Sequence, residues 1–193
     1  VGHTINGHSI VLKLTIGKVR ILFGADLNEA SEEQLVAYAK ENGISLEAEV
    51  LKVPHHGSHE FIPDLLKQIA PVVSIVSSGD QAIGGSDHIH PRAGLVGALG
   101  KYSRDVVAKP LVYVTEMVAY FRPVDRALEV VDGEQVPLRN AHEKKTFGIV
   151  HVRTDGRRVL VATHSGQDTR KESYVFTVGE DGKTITFSEP RII

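Results

Sequence analysis

Three short apolar runs constrain this chain most, because each hands a carboxylate or an imidazole to the turn that follows it. Val19 to Phe23 ends in Gly24-Ala25-Asp26, and Val50 to Val53 ends in Pro54-His55-His56-Gly57-Ser58-His59. Val72 to Val76 leads into a Gly- and Ser-rich loop that closes on Asp87-His88-Ile89-His90-Pro91. Runs of this length and β-branched content read as strands. In open α/β sheets, ligands bind in the crevice outside the carboxyl ends of the strands. The three turns are therefore expected to meet in one crevice.

Helical segments alternate with these runs. Ser31-Glu32-Glu33-Gln34 is a capping-box pattern with Ser31 as N-cap, and Leu35, Val36 and Ala39 continue the helix to a stop at Asn42-Gly43. Pro63 suits the first turn of a short helix through Ile69. His90-Pro91 reads as the N-cap and first position of a helix through Leu95, Val96 and Leu99. Before them, Ser9 to Thr15 alternates as a strand and turns at Ile16-Gly17-Lys18 into the first apolar run. Strand and helix in alternation predict α/β layers with parallel pairing. After Lys109 the pattern changes. Leu111 to Phe121 reads as one long strand or two short ones, and Asp125 to Lys145 as a polar, irregular excursion. Phe147 to Arg153, Arg158 to Thr163, Tyr174 to Val178 and Thr184 to Phe187 are short strands separated by turn residues, which predicts an antiparallel meander.

A length of 193 residues accommodates one well-buried domain, or a domain with an appendage. The absence of cysteine excludes disulfides, thiolate ligation and a Cys nucleophile. A formal net charge of -2 offers no global basic footprint for nucleic acid, though a local groove can still be basic. No apolar run in the sequence approaches the ~18 residues that a spanning helix needs, and no signal peptide is visible; a cytoplasmic location is the expectation. The start at Val1, almost directly in a strand, suggests a piece of a longer protein.

Chemistry-bearing residues concentrate in the turns. His55, His56 and His59 place three imidazoles within five residues. Clustered histidine with a carboxylate suits zinc, manganese or iron. Asp26 either bridges metals and orients water or serves the turn after its strand. His88 and His90, two apart, share a side in extended chain and either face the crevice or cap the next helix. Lys52 either brings a cation to a phosphate or ends on a solvated face. Ser58 lacks any Asp/His relay at triad spacing and is not a nucleophile. Ser77, Ser78, Gly79, Gly84, Gly85 and Ser86 have the composition of an anion-binding nest, without a phosphate-loop motif. His151 and His164, at strand positions in the meander, read as structural.

Five blocks in order resemble the metallo-β-lactamase-fold hydrolases, closest to the ComEC-like subgroup. They are Asn6 to Leu12, Arg20 to Leu27, Glu49 to Ser58, Ile75 to Gly79, and His88 to Pro91. Leu51-Lys52-Val53-Pro54-His55-His56-Gly57-Ser58 is the most specific. The resemblance implies an αββα sandwich with a site for two divalent ions, zinc or manganese, and hydrolysis of a small-molecule or nucleic-acid phosphodiester. By position, it makes Asp26, His55 and His56 metal ligands, Asp26, His56 and Lys52 catalytic, and Lys52, Ser58, His59, His88 and His90 substrate contacts. The family's principal motif, His-x-His-x-Asp-His, has no counterpart in this chain. Residues 1–124 are then expected to form the C-terminal half of the domain, 125–145 an excursion, and 146–193 closing strands and meander. The missing N-terminal half of the same protein becomes an expected partner. The alternatives are a non-catalytic binding or scaffold module that has lost its metal, or a regulatory domain whose meander is the contact surface.

Overall fold

The computed structural model describes residues 5–79, 90–105, 110–118, 122–131, 134–140, 144–146, 148–164 and 173–188. The first strands are β1 (Leu12–Ile16), β2 (Val19–Phe23), β3 (Val50–Lys52), β4 (Val73–Val76) and β5 (Leu111–Val114). They form one sheet in that order. β1 and β2 make an antiparallel hairpin, whereas β2, β3, β4 and β5 run parallel. The parallel strands are joined by helices α1 (Glu29–Glu41), α2 (Pro63–Ile69) and α3 (Ala93–Lys101). Successive strands lie side by side, so crossovers of one hand put all three helices on one face. There Ala39, Leu65, Leu66, Ile69, Leu95 and Leu99 bury against Leu22, Leu51, Val53, Val76 and Val114.

The opposite face packs on a second sheet, β10 (Ile149–Thr154), β11 (Arg158–His164), β12 (Ser173–Val178) and β13 (Ile185–Ser188), an antiparallel meander as expected. Val19, Val50, Val73 and Tyr113 meet Val159, Val161, Phe176 and Val178 in that layer. The central strands are thus covered on both sides, and this is why β4 is apolar apart from Ser74. The chain is mixed α/β, with a mixed parallel and antiparallel sheet and a separate antiparallel one.

Three local expectations are corrected and one open alternative is decided. α1 starts earlier than the capping box suggests: Asn28 is the N-cap, its Oδ1 accepting the Ser31 amide at 3.1 Å. Asn caps as well as Ser does, and Ser31 instead donates its hydroxyl to the Gly7 carbonyl at 3.1 Å. His90 does not cap α3, whose N-cap is Arg92. The Arg92 amide donates to the Gly57 carbonyl at 2.8 Å, so Pro91 and Arg92 are drawn to the histidine turn before the helix begins. The described residues within 125–145 are not irregular. β7 (Arg122–Val131) and β8 (Glu134–Asn140) pair antiparallel, and β6 (Glu116–Val118) pairs with β9 (Lys144–Thr146). Two short strands, β5 and β6, replace the alternative of one long strand from Leu111.

At the amino ends of β2 and β3, away from the crevice, Glu49 is fully buried among cations. Arg20 donates to it from its backbone amide (2.7 Å), from Nε (3.1 Å) and from a terminal guanidinium nitrogen (2.5 Å), and Arg104 adds a bond at 3.0 Å. Burial pushes the Glu49 carboxyl up, but the bonds from Arg20 and the charge of Arg104 outweigh it and hold the group below its ordinary range. This cluster ties β2, β3 and the segment after α3 together. It fixes the end of the sheet opposite the candidate site.

Candidate functional site

Because β2, β3 and β4 are parallel, their carboxyl ends share one edge of the sheet. β2 delivers Gly24-Ala25-Asp26, β3 delivers Val53 to Ser58, and β4 delivers Ser77 and Ser78. The turns are stitched to one another. The Gly24 amide donates to the Lys52 carbonyl at 3.1 Å, and the His55 amide to the Ala25 carbonyl at 2.9 Å. A Cβ at Gly24 would lie 2.5 Å from Pro54 Cγ, so only glycine lets the two turns approach this closely.

Three residues other than glycine sit here in the left-handed region: Ala25 (φ 49°), His55 (φ 46°) and His56 (φ 52°). Each such residue costs about 1–2 kcal/mol, and such strain collects at functional sites. Gly57 continues the left-handed turn at φ 88°, and a Cβ there would meet Pro91 at 2.8 Å and Val76 at 3.0 Å. The turn is therefore packed from two sides, which holds the strained histidines in place.

The two histidines point to different partners. His56 Nδ1 lies 2.7 Å from the Ser77 carbonyl oxygen. A carbonyl only accepts, so Nδ1 carries the proton. Nε2 then faces Asp26 Oδ1 at 3.4 Å, with both side chains about half exposed. In the neutral ring this sets a nitrogen lone pair against a carboxylate, which is repulsive unless a proton or a cation lies between them. Asp26 is oriented in turn, its amide donating to Ser9 Oγ at 3.2 Å.

His55 is engaged elsewhere. Its Nε2 is 3.2 Å from the Asn6 amide nitrogen, its Nδ1 is 3.4 Å from Glu60 Oε2, and its ring centroid is 6.1 Å from that of His90. The expected ligand trio of Asp26, His55 and His56 is thus split. Asp26 and His56 are brought together, while His55 is drawn off by Asn6 and Glu60. Among the described residues, no group of three or more His, Asp or Glu side chains is placed to hold a metal ion.

Lys52 is half-buried beside this pair. Burial lowers its ammonium below the ordinary lysine range, while the Asp26 charge works the other way. Its Nζ donates to the Val53 carbonyl at 2.9 Å. Ser58 is buried, its Oγ accepting the Glu60 amide at 3.3 Å, so it closes the turn and is not offered to a ligand. His59 is exposed on the same loop, and His90 is half-buried. His88, like Gly84, Gly85 and Ser86 of the expected anion nest, lies outside the described residues. Of the rest of that nest, Ser78 is buried and bonded to Thr115 and to the Glu116 carbonyl.

Asn6, Ser9, Glu60 and the Ser77 carbonyl were not singled out as site residues by sequence reasoning. Asn6 and Ser9 lie within the first resemblance block, but no spacing rule connects them to turns 17 to 49 residues away. No family model matches the chain, and neither does any curated protein or solved structure. Among the described residues no helix is long and apolar enough to cross a membrane.

Proposed function

We propose that this chain supplies one side of a metal-dependent hydrolase site of the metallo-β-lactamase type, acting on a phosphodiester, nucleic acid included. The observation that carries the reading is the Asp26–His56 pair. A ring locked by Nδ1 to a backbone carbonyl presents Nε2 to a carboxylate oxygen across 3.4 Å. Such anchoring of the far nitrogen is how proteins orient metal-ligating imidazoles. Nitrogen and oxygen donors together suit zinc or manganese. Asp26 and His56 would hold the ion, with further donors from outside the described residues, such as the N-terminal half that the resemblance calls for. When bound, the ion supplies Lewis acidity and a nucleophile from water near neutral pH.

The protein's own groups do the rest. Asp26 gives the site its negative charge and would accept a hydrogen bond from the attacking water. Lys52, half-desolvated beside it, offers a cation to a phosphate oxygen, and His59 on the exposed loop a second contact. The finer architecture, an αββα sandwich of which this chain is the C-terminal half, belongs to the same proposal. Three layers in the order helix, sheet, sheet support it.

The second reading is a non-catalytic binding or scaffold module that keeps the fold without the metal. The missing third ligand among the described residues favours it. Metal content and phosphodiester turnover of the purified full-length protein separate the two. The hydrolase reading expects bound zinc or manganese, and turnover reduced at least 100-fold in Asp26→Asn, as for loss of a ligand or its support. A metal-free, inactive wild type would leave the module.

A further inference from the structure

β1 carries an alternation that its surroundings do not explain. It is the edge of the five-stranded sheet, and all five of its residues are exposed. Leu12, Leu14 and Ile16 lie on one face, and their register partners on β2 are Phe23, Ile21 and Val19. Val19 and Ile21 belong to the layer between the two sheets. The apolar row of β1 therefore continues that layer outward, past where the second sheet covers it. Leu12, Leu14 and Ile16 are 60%, 45% and 39% exposed, with Phe23 beside them at 40%. Lys13 turns to the helix face, its Nζ donating to the Ser45 carbonyl at 2.6 Å.

The backbone edge is open as well. Ile16 and Val19 flank a two-residue turn, which closes on a pair that exchanges both backbone bonds. Antiparallel pairs alternate, so Leu12, Leu14 and Ile16 spend their amides and carbonyls on β2. Those of Lys13 and Thr15 face outward. Natural edges are blunted by lysine or proline on the edge, by bulges or by inward charges; Leu12 to Ile16 has no proline, keeps an unbroken register, and its one lysine is drawn to the Ser45 carbonyl on the helix face.

We infer that β1 is the pairing edge for a second copy of this chain. An antiparallel two-fold centred on Leu14 sets Leu14 opposite the second copy's Leu14 and Leu12 opposite its Ile16. Lys13 then faces Thr15, so no like charges meet, and the outward amides and carbonyls of Lys13 and Thr15 exchange four backbone bonds. A two-fold normal to the sheet keeps both apolar rows on the same side, where Leu12, Leu14 and Ile16 of the two copies pack side by side across the seam. The strand is thus complementary to itself, which is what commits the edge to a second copy over an unrelated strand.

The test is mass in solution across a dilution series, by sedimentation or light scattering, because so short an edge holds only at high protein concentration. The full-length wild type is expected to shift from its single-chain mass toward twice that value as concentration rises. Thr15→Pro removes an outward amide that the hairpin does not use, and Leu14→Glu sets two carboxylates face to face on the axis. Both are expected to stay at the single-chain mass with an unchanged circular dichroism spectrum. A wild type that remains a monomer at hundreds of micromolar overturns the inference, and so does a dimer that either folded variant leaves intact.

Discussion

Glu32 is 1% exposed in α1, and its carboxylate accepts the Ile62 amide at 2.7 Å. Burial pushes its carboxyl from 4.5 up to about 8; the Ile62 amide works against the shift, and the Glu29 charge adds to it. Its folded value stands above its unfolded one, so the native state binds the proton more tightly. The resulting stabilisation is complete below pH 4.5 and is lost as pH rises through 8. A shift from 4.5 to about 8 at 1.36 kcal/mol per unit amounts to about 5 kcal/mol over the whole window, of which about 3 kcal/mol is gone at pH 7. Glu32→Gln keeps the size and the acceptor for Ile62 but cannot ionise. Urea unfolding of wild type and variant at pH 5, 6, 7 and 8 isolates the group, since every other titration cancels in the difference. The variant is expected to match wild type near pH 5 and to gain on it by about 1.4 kcal/mol per unit above, reaching roughly 3 kcal/mol at neutral pH. A difference that does not change with pH, or a variant that weakens as pH rises, would refute the idea that this carboxyl is held neutral by burial.

Glu49→Gln removes the charge that Arg20 and Arg104 share and leaves buried guanidinium groups unbalanced; a loss of about 3–5 kcal/mol in denaturant unfolding is expected. Gly57→Ala forces a Cβ into Pro91 and Val76 at a left-handed φ, so a loss of about 2 kcal/mol or more is expected, together with weaker metal binding as His56 shifts. Lys52→Met relieves a half-buried ammonium: thermal unfolding should show a fold at least as stable as wild type, while affinity for a phosphodiester falls.

Much of the sheet was legible, because β-branched runs bounded by Gly, Pro and Asp specify strands whatever surrounds them. β2, β3 and β4 and the meander lie within two residues of the expected bounds. The ends of helices were less legible. Asn28 and Ser31 are both good caps, and the sequence does not say that Ser31 would be taken by the Gly7 carbonyl. The β7–β8 pairing carried its own signal, since Asp132-Gly133 in the sequence is turn chemistry between Val131 and Glu134, which pair; the surrounding charge and proline obscured it. The site was legible as a location and not as a geometry. Asp26 and the histidine turn meet because parallel strands share an edge. Which histidine turns to Asp26 is decided by Asn6, Glu60 and the Ser77 carbonyl, and by left-handed backbone at residues that do not advertise it.

On the hydrolase reading, His56 offers Nε2, with Asp26, to a metal ion. Ring nitrogen NMR shifts of His56, followed as zinc is added to the full-length protein and to its Asp26→Asn variant, test it most directly. The account predicts that Nδ1 keeps its proton throughout, while the Nε2 signal moves on zinc addition in wild type and moves much less in the variant. An Nε2 signal indifferent to zinc, or one that moves equally without the Asp26 carboxylate, would contradict it.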